Sequence, residues 1–133
     1  MPSVVVDTHA TVWYLCNSPR LSKAAADAIR AAIGGGFPVY VPSISLVEIT
    51  YLVERGRVPA STYDDLIAAL QQPNFGFVIQ PLNQDVAEAV RRIPAQLVPE
   101  MPDRIIAGTA LYLNLPLITR DRKIQTAPLV SIW

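Results

Sequence analysis

Short β-branched runs alternate along this chain with longer stretches of helical periodicity, and each change of period is marked by a turn residue. Residues 3–6 read as a strand, and the stretch after Asp7 opens a helix that must stop before Pro19. Residues 21–33 (LSKAAADAIRAAI) predict a helix with Ser22 as N-cap and Gly34 as its stop. Residues 37–41 are a second strand, followed by a helix over 43–55 that Gly56 ends and another over 61–72 that Pro73 closes. Residues 75–80 (FGFVIQ) are a third strand, and 83–92 a helix capped by Asn83 and ending near Pro94. The segment 94–102 (PAQLVPEMP), dense in proline, reads as an ordered loop. A helix over 103–113 is capped by Asp103; Asn114 suits the left-handed position after it, and Pro116 forbids continuation. Residues 115–119 form a fourth strand and 130–133 a fifth. Apolar strands alternating with helices predict an α/β fold with a parallel sheet covered on both faces.

Composition narrows this picture. A chain of 133 residues with 51% hydrophobic and 17% charged residues is one domain's worth, 1–133, with enough apolar surface for a core. No repeat or linker calls for a second domain, and the triple glycine at 34–36 is a turn, because it follows a helix and no Lys-Ser/Thr comes after it. Lys+Arg and Asp+Glu both number 11, so the net charge of zero carries no basic signature for nucleic acid. If several acids are gathered in one place, however, the remaining surface is net basic. Cys16 is the single cysteine, which excludes a disulfide framework and a thiolate metal site. The N-terminus has no basic n-region, and no apolar run reaches the roughly 18 residues of a membrane span. The expectation is a soluble, cytoplasmic protein.

Four carboxylates fall where a strand gives way to a helix or loop: Asp7 (VVVDTH), Glu48 (SISLVEIT), Asp103 (MPDRIIAGTA) and Asp121 (LITRDR). In an open α/β sheet that edge is where ligands bind. Asp7 and Asp121 follow their strands directly. Glu48 sits in the helix after the second strand and leans back toward its N-terminus. The helix begun by Asp103 runs into the fourth strand through a very short connection, so it must start at the opposite, shared edge. Acids crowded there repel one another unless a cation joins them, and a divalent metal held by carboxylates suits phosphoester chemistry. Each acid also has a plainer reading. Asp7 and Asp103 serve as helix caps, Ser45-x-x-Glu48 fits a capping box, and Asp121 bonds its own turn. Only their common edge speaks for a joint site.

The pattern VVVDTHATVW, a Glu early in the helix after strand two, PDRIIAGTA and then LITRD resembles the PIN-domain nucleases, and among them the VapC-type toxins of toxin–antitoxin pairs. The resemblance runs the length of the chain. It implies a three-layer α/β/α sandwich around a central, mainly parallel sheet of about five strands. It also implies an acidic cluster of Asp7, Glu48, Asp103 and Asp121 holding Mg²⁺ or Mn²⁺, with Thr119 in support. The expected activity is metal-dependent endoribonuclease cleavage of RNA, with Asp7 and Asp103 as direct ligands. The expected partners are a cognate antitoxin and a second copy in a homodimer. Gly108 departs from the Ala such helices often carry. Glu100 is an extra acid, read as a solvated loop residue, and His9 is read as a polar residue at a helix start. Arg104, Arg120, Arg122 and Lys123 lie beside the acids, either binding RNA phosphates or, in the plainer reading, with Arg104 pairing with a cluster carboxylate and Arg122 and Lys123 as solvated turn residues. No aromatic platform for RNA bases is evident.

Two other enzyme classes fit less well. A haloacid-dehalogenase-type phosphatase wants Asp-x-Asp after strand one, where this chain has His9 in the third place. A receiver domain wants an acidic pair before its first helix and a Lys after its last strand. The non-enzyme alternative, a PIN-like module that binds RNA or protein without cutting, is disfavoured by the complete acid set.

Overall fold

The computed structural model describes residues 3–133; Met1 and Pro2 lie outside it, and with them the first residues of the segment read above as lacking a signal peptide. The elements run β1 (Val4–Val6), α1 (Thr8–Leu15), α2 (Lys23–Gly34), β2 (Val39–Pro42), α3 (Ile44–Glu54), α4 (Thr62–Leu70), β3 (Phe77–Gln80), α5 (Gln84–Val90), α6 (Met101–Leu113), β4 (Leu117–Ile118), α7 (Arg122–Gln125) and β5 (Ser131–Ile132). The strands form one sheet in the order β3-β2-β1-β4-β5, and every pairing is parallel. The expected α/β/α architecture and strand number are both found.

Side chains alternate across a strand, so β1 feeds two cores. Val4 and Val6 pack with Ile29, Ala32, Val39, Val41 and Ile118 on one face. Val5 packs with Ile93, Val98, Ile106, Ala110 and Leu117 on the other. A third cluster, Val12, Trp13, Ile49 and Leu66, ties α1 to α3 and α4. Burial on both faces explains why the strands read as apolar runs. Among the described residues, no helix is long and apolar enough to cross a membrane.

The order of strands places the site. From β1 the chain steps sideways to β2 and β3, then returns to the far side of β1 for β4 and β5. The direction reverses between β1 and β4, and a crevice opens beyond their C-terminal ends at such a reversal. Asp7 and Asp121 follow those two strands.

Several local expectations hold. Ser22 and Asn83 accept from Ala25 N–H and Val86 N–H as N-caps, and Asn114 adopts φ 55°, ψ 47° after α6. Others are corrected. Asp103 is not the N-cap of α6, because the helix starts earlier, at Met101, and Glu100 stands in the cap position without a side-chain cap bond. Pro102 lies in the first turn, where a missing N–H costs nothing, so the end of the expected loop is helical. Gly34 belongs to α2, which closes at Gly35, with the left-handed φ of 76° falling to Gly36. The short α7 was not foreseen; four residues are too few to show a period.

Gly108 has a steric reason. A Cβ there would come within 2.7 Å of the Val90 side chain and 3.1 Å of its backbone, where α6 crosses α5. Glycine lets the two helices approach at the expense of helix preference. Gly108→Ala is therefore expected to destabilise the fold by up to roughly 2 kcal/mol in urea denaturation, an overpacking cost of about 1–3 kcal/mol less about 1 kcal/mol of helix propensity gained. Val90→Ala should cost less stability on the Gly108→Ala background than in the parent, because it removes the 2.7 Å side-chain clash; an equal cost in both would show that the contact is not what Gly108 serves.

Candidate active site

Beyond the C-terminal ends of β1 and β4 lies a cleft of about 740 Å³. Asp7, Glu48, Asp103 and Asp121 all line it, so the structure brings all four sequence-predicted acids to one place. Glu100 lines it too, as do the cations Arg20, Arg120, Arg122 and Lys123.

Each acid is delivered by local structure. The Asp7 N–H donates to Ile118 O at 3.1 Å, continuing the β1–β4 ladder by one residue. Its Oδ1 accepts the Ala10 N–H at 2.8 Å and caps α1. Asp121 Oδ1 accepts the N–H groups of Lys123 and Ile124 at 2.8 and 3.1 Å and caps α7. Between the two, the buried Thr119 hydroxyl accepts the Asp121 N–H at 3.0 Å. Its proton is thereby left for the Asp7 carboxylate. Asp103 is the third residue of α6, where the helix dipole favours an anion. Glu48 lies in the second turn of α3 and accepts the Thr8 hydroxyl at 2.5 Å.

That last bond corrects the capping-box expectation. Ser43 is the N-cap of α3, and it makes no side-chain cap bond. Ser45 instead meets the Thr8 hydroxyl at 2.9 Å. Thr8 and Ser45 are contributors that the sequence reading missed. The sequence hints were slight: a hydroxyl residue directly after Asp7, and a serine between Ile44 and Leu46, three residues before Glu48.

The electrostatics are those of crowded anions. Burial pushes the Asp7 carboxyl well above its ordinary range; the Thr119 hydroxyl, the Ala10 amide and His9 pull it back, and Asp121 adds to the rise. Asp103 is pushed up to about 6, first by burial and then by the charges of Asp121, Glu48, Glu100 and Asp7. Among the described residues, no three acidic, His or Cys side chains converge closely enough to ligate one ion jointly. A hard divalent cation does not require that, because Mg²⁺ commonly takes one or two carboxylates and keeps water in its other positions. The donor set is all oxygen, and the ion would neutralise the acidic charges that, after burial, help to raise Asp103, so the residues fit such an ion.

The basic residues divide. Arg120 is exposed at the cleft, its guanidinium 5.0 Å from the centre of the Trp13 ring. His9 is also exposed there, packed on the same ring at 5.4 Å. Arg104 is turned away: it donates to Val90 O at 3.1 Å and Ile93 O at 2.8 Å, closing the C-terminal end of α5. The expectation that Arg104 meets RNA or a cluster carboxylate is therefore corrected, because its Nε and Nη2 donate to the Val90 and Ile93 carbonyls at and just beyond the end of α5. Trp13 and Arg20, which also line the cleft, were not singled out from sequence as site residues.

The chain was compared with known proteins. A family model described as PIN domain matches residues 4–128. The chain is 28% identical over 126 residues to Ribonuclease VapC22 of Mycobacterium tuberculosis (strain ATCC 25618 / H37Rv), covering 95% of this chain and 92% of that one. Among solved structures it is similar to that of VapBC2 from Rickettsia felis bound to a DNA fragment from their promoter, with TM-score 0.71, 16% identity and coverage of 97% and 96% of the two chains. It is also similar to FitAcB from Neisseria gonorrhoeae, with TM-score 0.61, 21% identity and coverage of 96% and 95%. At these identities the two structures speak for the fold.

The raised Asp103 has a consequence for stability. Its folded pKa of about 6 lies above the 3.8 of an ordinary Asp, so the native state holds its proton more tightly than the unfolded chain does. Stability from this group is present at low pH and is lost as pH rises from about 4 to about 6. Asp103→Asn is expected to raise Tm at pH 7 by roughly 3 °C, about 1 kcal/mol once partial exposure is allowed for. It should also flatten the pH dependence between pH 4 and 6 in the metal-free protein. A lower Tm for Asp103→Asn at pH 7 would contradict the electrostatic account.

Proposed function

The chain belongs to the PIN domain family, and from that premise we propose that it is a metal-dependent endoribonuclease, the toxin of a toxin–antitoxin pair. The observation that carries the proposal is the partition of charge in the cleft. Carboxylates from α3, α6 and the N-caps of α1 and α7 form its acidic side, and Arg20, Arg120, Arg122 and Lys123 supply cations around it. A phosphodiester backbone needs both, cations to hold flanking phosphates and oxygen ligands at the bond to be cut. The name Ribonuclease carried by a relative at 28% identity supports the same reading.

In this proposal Asp7 and Asp103 provide the direct carboxylate oxygens for Mg²⁺ or Mn²⁺. The bound cation supplies water activation and neutralises charge developing at the phosphoryl group. Glu48 and Asp121 accept hydrogen bonds from water and hold it in line with the scissile phosphorus. Thr119 keeps Asp7 and Asp121 in register. Arg120, steadied over Trp13, holds a flanking phosphate. Hydrolysis in this geometry leaves a 5′-phosphate and a 3′-hydroxyl. The protein acts in the cytoplasm, as a homodimer held in check by a cognate antitoxin. The Trp13-Tyr14-Leu15 run of α1 is largely covered, whereas Val47 and Tyr51 on α3 are exposed and offer apolar surface to a protein partner.

Cleavage of single-stranded RNA should require a divalent cation and stop on addition of EDTA. Asp7→Asn keeps an acceptor for the Ala10 N–H and should fold, yet both it and Asp103→Asn are expected to lower the rate by at least ~100-fold. Undiminished cleavage by either variant rules out this ligand assignment. Separately, Arg120→Ala should weaken RNA binding and reduce the slope of log affinity against log salt by about 0.7, one phosphate contact on a single strand. An unchanged slope would remove Arg120 from the binding surface.

A further inference from the structure

We propose that Thr8 is a positioning residue that fixes the carboxylate of Glu48 in the cleft, with Ser45 fixing the Thr8 hydroxyl in turn. Its catalytic meaning rests on the nuclease reading above; its geometry stands apart from it. Thr8 Oγ1 lies 2.5 Å from Glu48 Oε1 and 2.9 Å from Ser45 Oγ. A threonine hydroxyl has one proton, and an ionised carboxylate only accepts. The Thr8 proton therefore goes to Glu48, at a separation typical of O–H···O⁻ bonds. Ser45 must then donate to Thr8, because Thr8 has no second proton to give. The order Ser45 to Thr8 to Glu48 follows without ambiguity.

The surroundings make this chain of bonds stiff. Thr8 is 3% exposed and Ser45 fully buried, so water does not compete for either hydroxyl. Glu48 is only half-buried, and a glutamate on a helix otherwise samples several rotamers. Among the described residues, the Thr8 bond is the one side-chain hydrogen bond Glu48 makes. It engages Oε1 and leaves Oε2 for the cleft. The bond also joins the first turn of α1, directly after Asp7, to α3. Two acids 41 positions apart are thus held at one spacing through a residue adjacent to the first.

The test uses the whole protein and two readouts: Mn²⁺ affinity by calorimetry in the absence of RNA, and steady-state cleavage of a single-stranded RNA. Thr8→Val keeps shape and removes the hydroxyl. It should weaken Mn²⁺ binding by ~10-fold and lower kcat by a similar factor, with KM for RNA changed by less than about twofold. Thr8→Ser restores the hydroxyl and should return both to within about threefold of the parent. On a Glu48→Gln background, Thr8→Val should add less than about twofold, because Thr8 acts through Glu48. Parental Mn²⁺ affinity in Thr8→Val, a full additive loss on the Glu48→Gln background, or no rescue by Thr8→Ser would each overturn the proposal. If circular dichroism shows Thr8→Val unfolded, Ser45→Ala decides instead: an Mn²⁺ affinity about threefold weaker that vanishes with Glu48→Gln supports the chain of bonds, and an unchanged affinity refutes it. A parent protein that binds Mn²⁺ but cuts no RNA sinks the nuclease reading, and the Mn²⁺ arm still judges Thr8. A parent that binds no Mn²⁺ overturns both.

Discussion

Asp7 carries more of this structure than its size suggests. Its N–H extends the β1–β4 ladder, its Oδ1 starts α1, and its carboxyl forms part of the cleft. A carboxylate is costly to bury, and here the cost is offset only in part by hydrogen bonds drawn from the scaffold, the Thr119 hydroxyl and the Ala10 amide. Because those donors sit on α1 and just after β4, the acid cannot be placed without also placing the helix and the neighbouring strand. The Ala10 amide is supplied locally by α1, while the pairing of β1 with β4 brings in Thr119.

Much of this was legible in the chain, and the legible parts were the local ones. Ser22, Asn83 and Asn114 act within a few residues of themselves, so their chemistry shows in sequence. The common edge of the four acids was also legible, because the short connection after Asn114 constrains α6 without knowledge of its neighbours. Strand order was not legible, since nothing within β1 says that β4 rather than β3 lies beside it. The same limit hid the Thr8–Ser45–Glu48 bonds, which span nearly 40 residues. There a local rule, the capping box, competed and misled. Asp103 was misassigned by two residues because Met-Pro reads as loop when it is in fact a helix start. Arg104 was misread because adjacency in sequence to an acid says nothing about which side of a helix its guanidinium takes.

The cleft keeps its charges apart. The ion pairs among the described residues, Lys23–Asp27 and Arg91–Glu88, both run along single exposed helices, and none joins the cations of the cleft to its acids. Arg120 rests on Trp13 rather than on a carboxylate, and Asp121 spends an oxygen on α7 amides. Had the cations folded inward, they would have neutralised the acids and left both unable to engage a substrate. Burial, and after it the crowding of like charges, raises Asp103, and that is a stability cost borne in the place where the chemistry is proposed to occur.

The contact between Gly108 and Val90 has a reach beyond packing. With no room for a methyl group between α6 and α5, the residue allowed at one position depends on the residue present at the other. Alanine at 108 would press on the Val90 side chain and, less tightly, on its backbone, so trimming position 90 relieves part of the clash and the helices must part slightly to relieve the rest. The contact couples two positions 18 residues apart, so the effect of a substitution at one depends on the residue at the other.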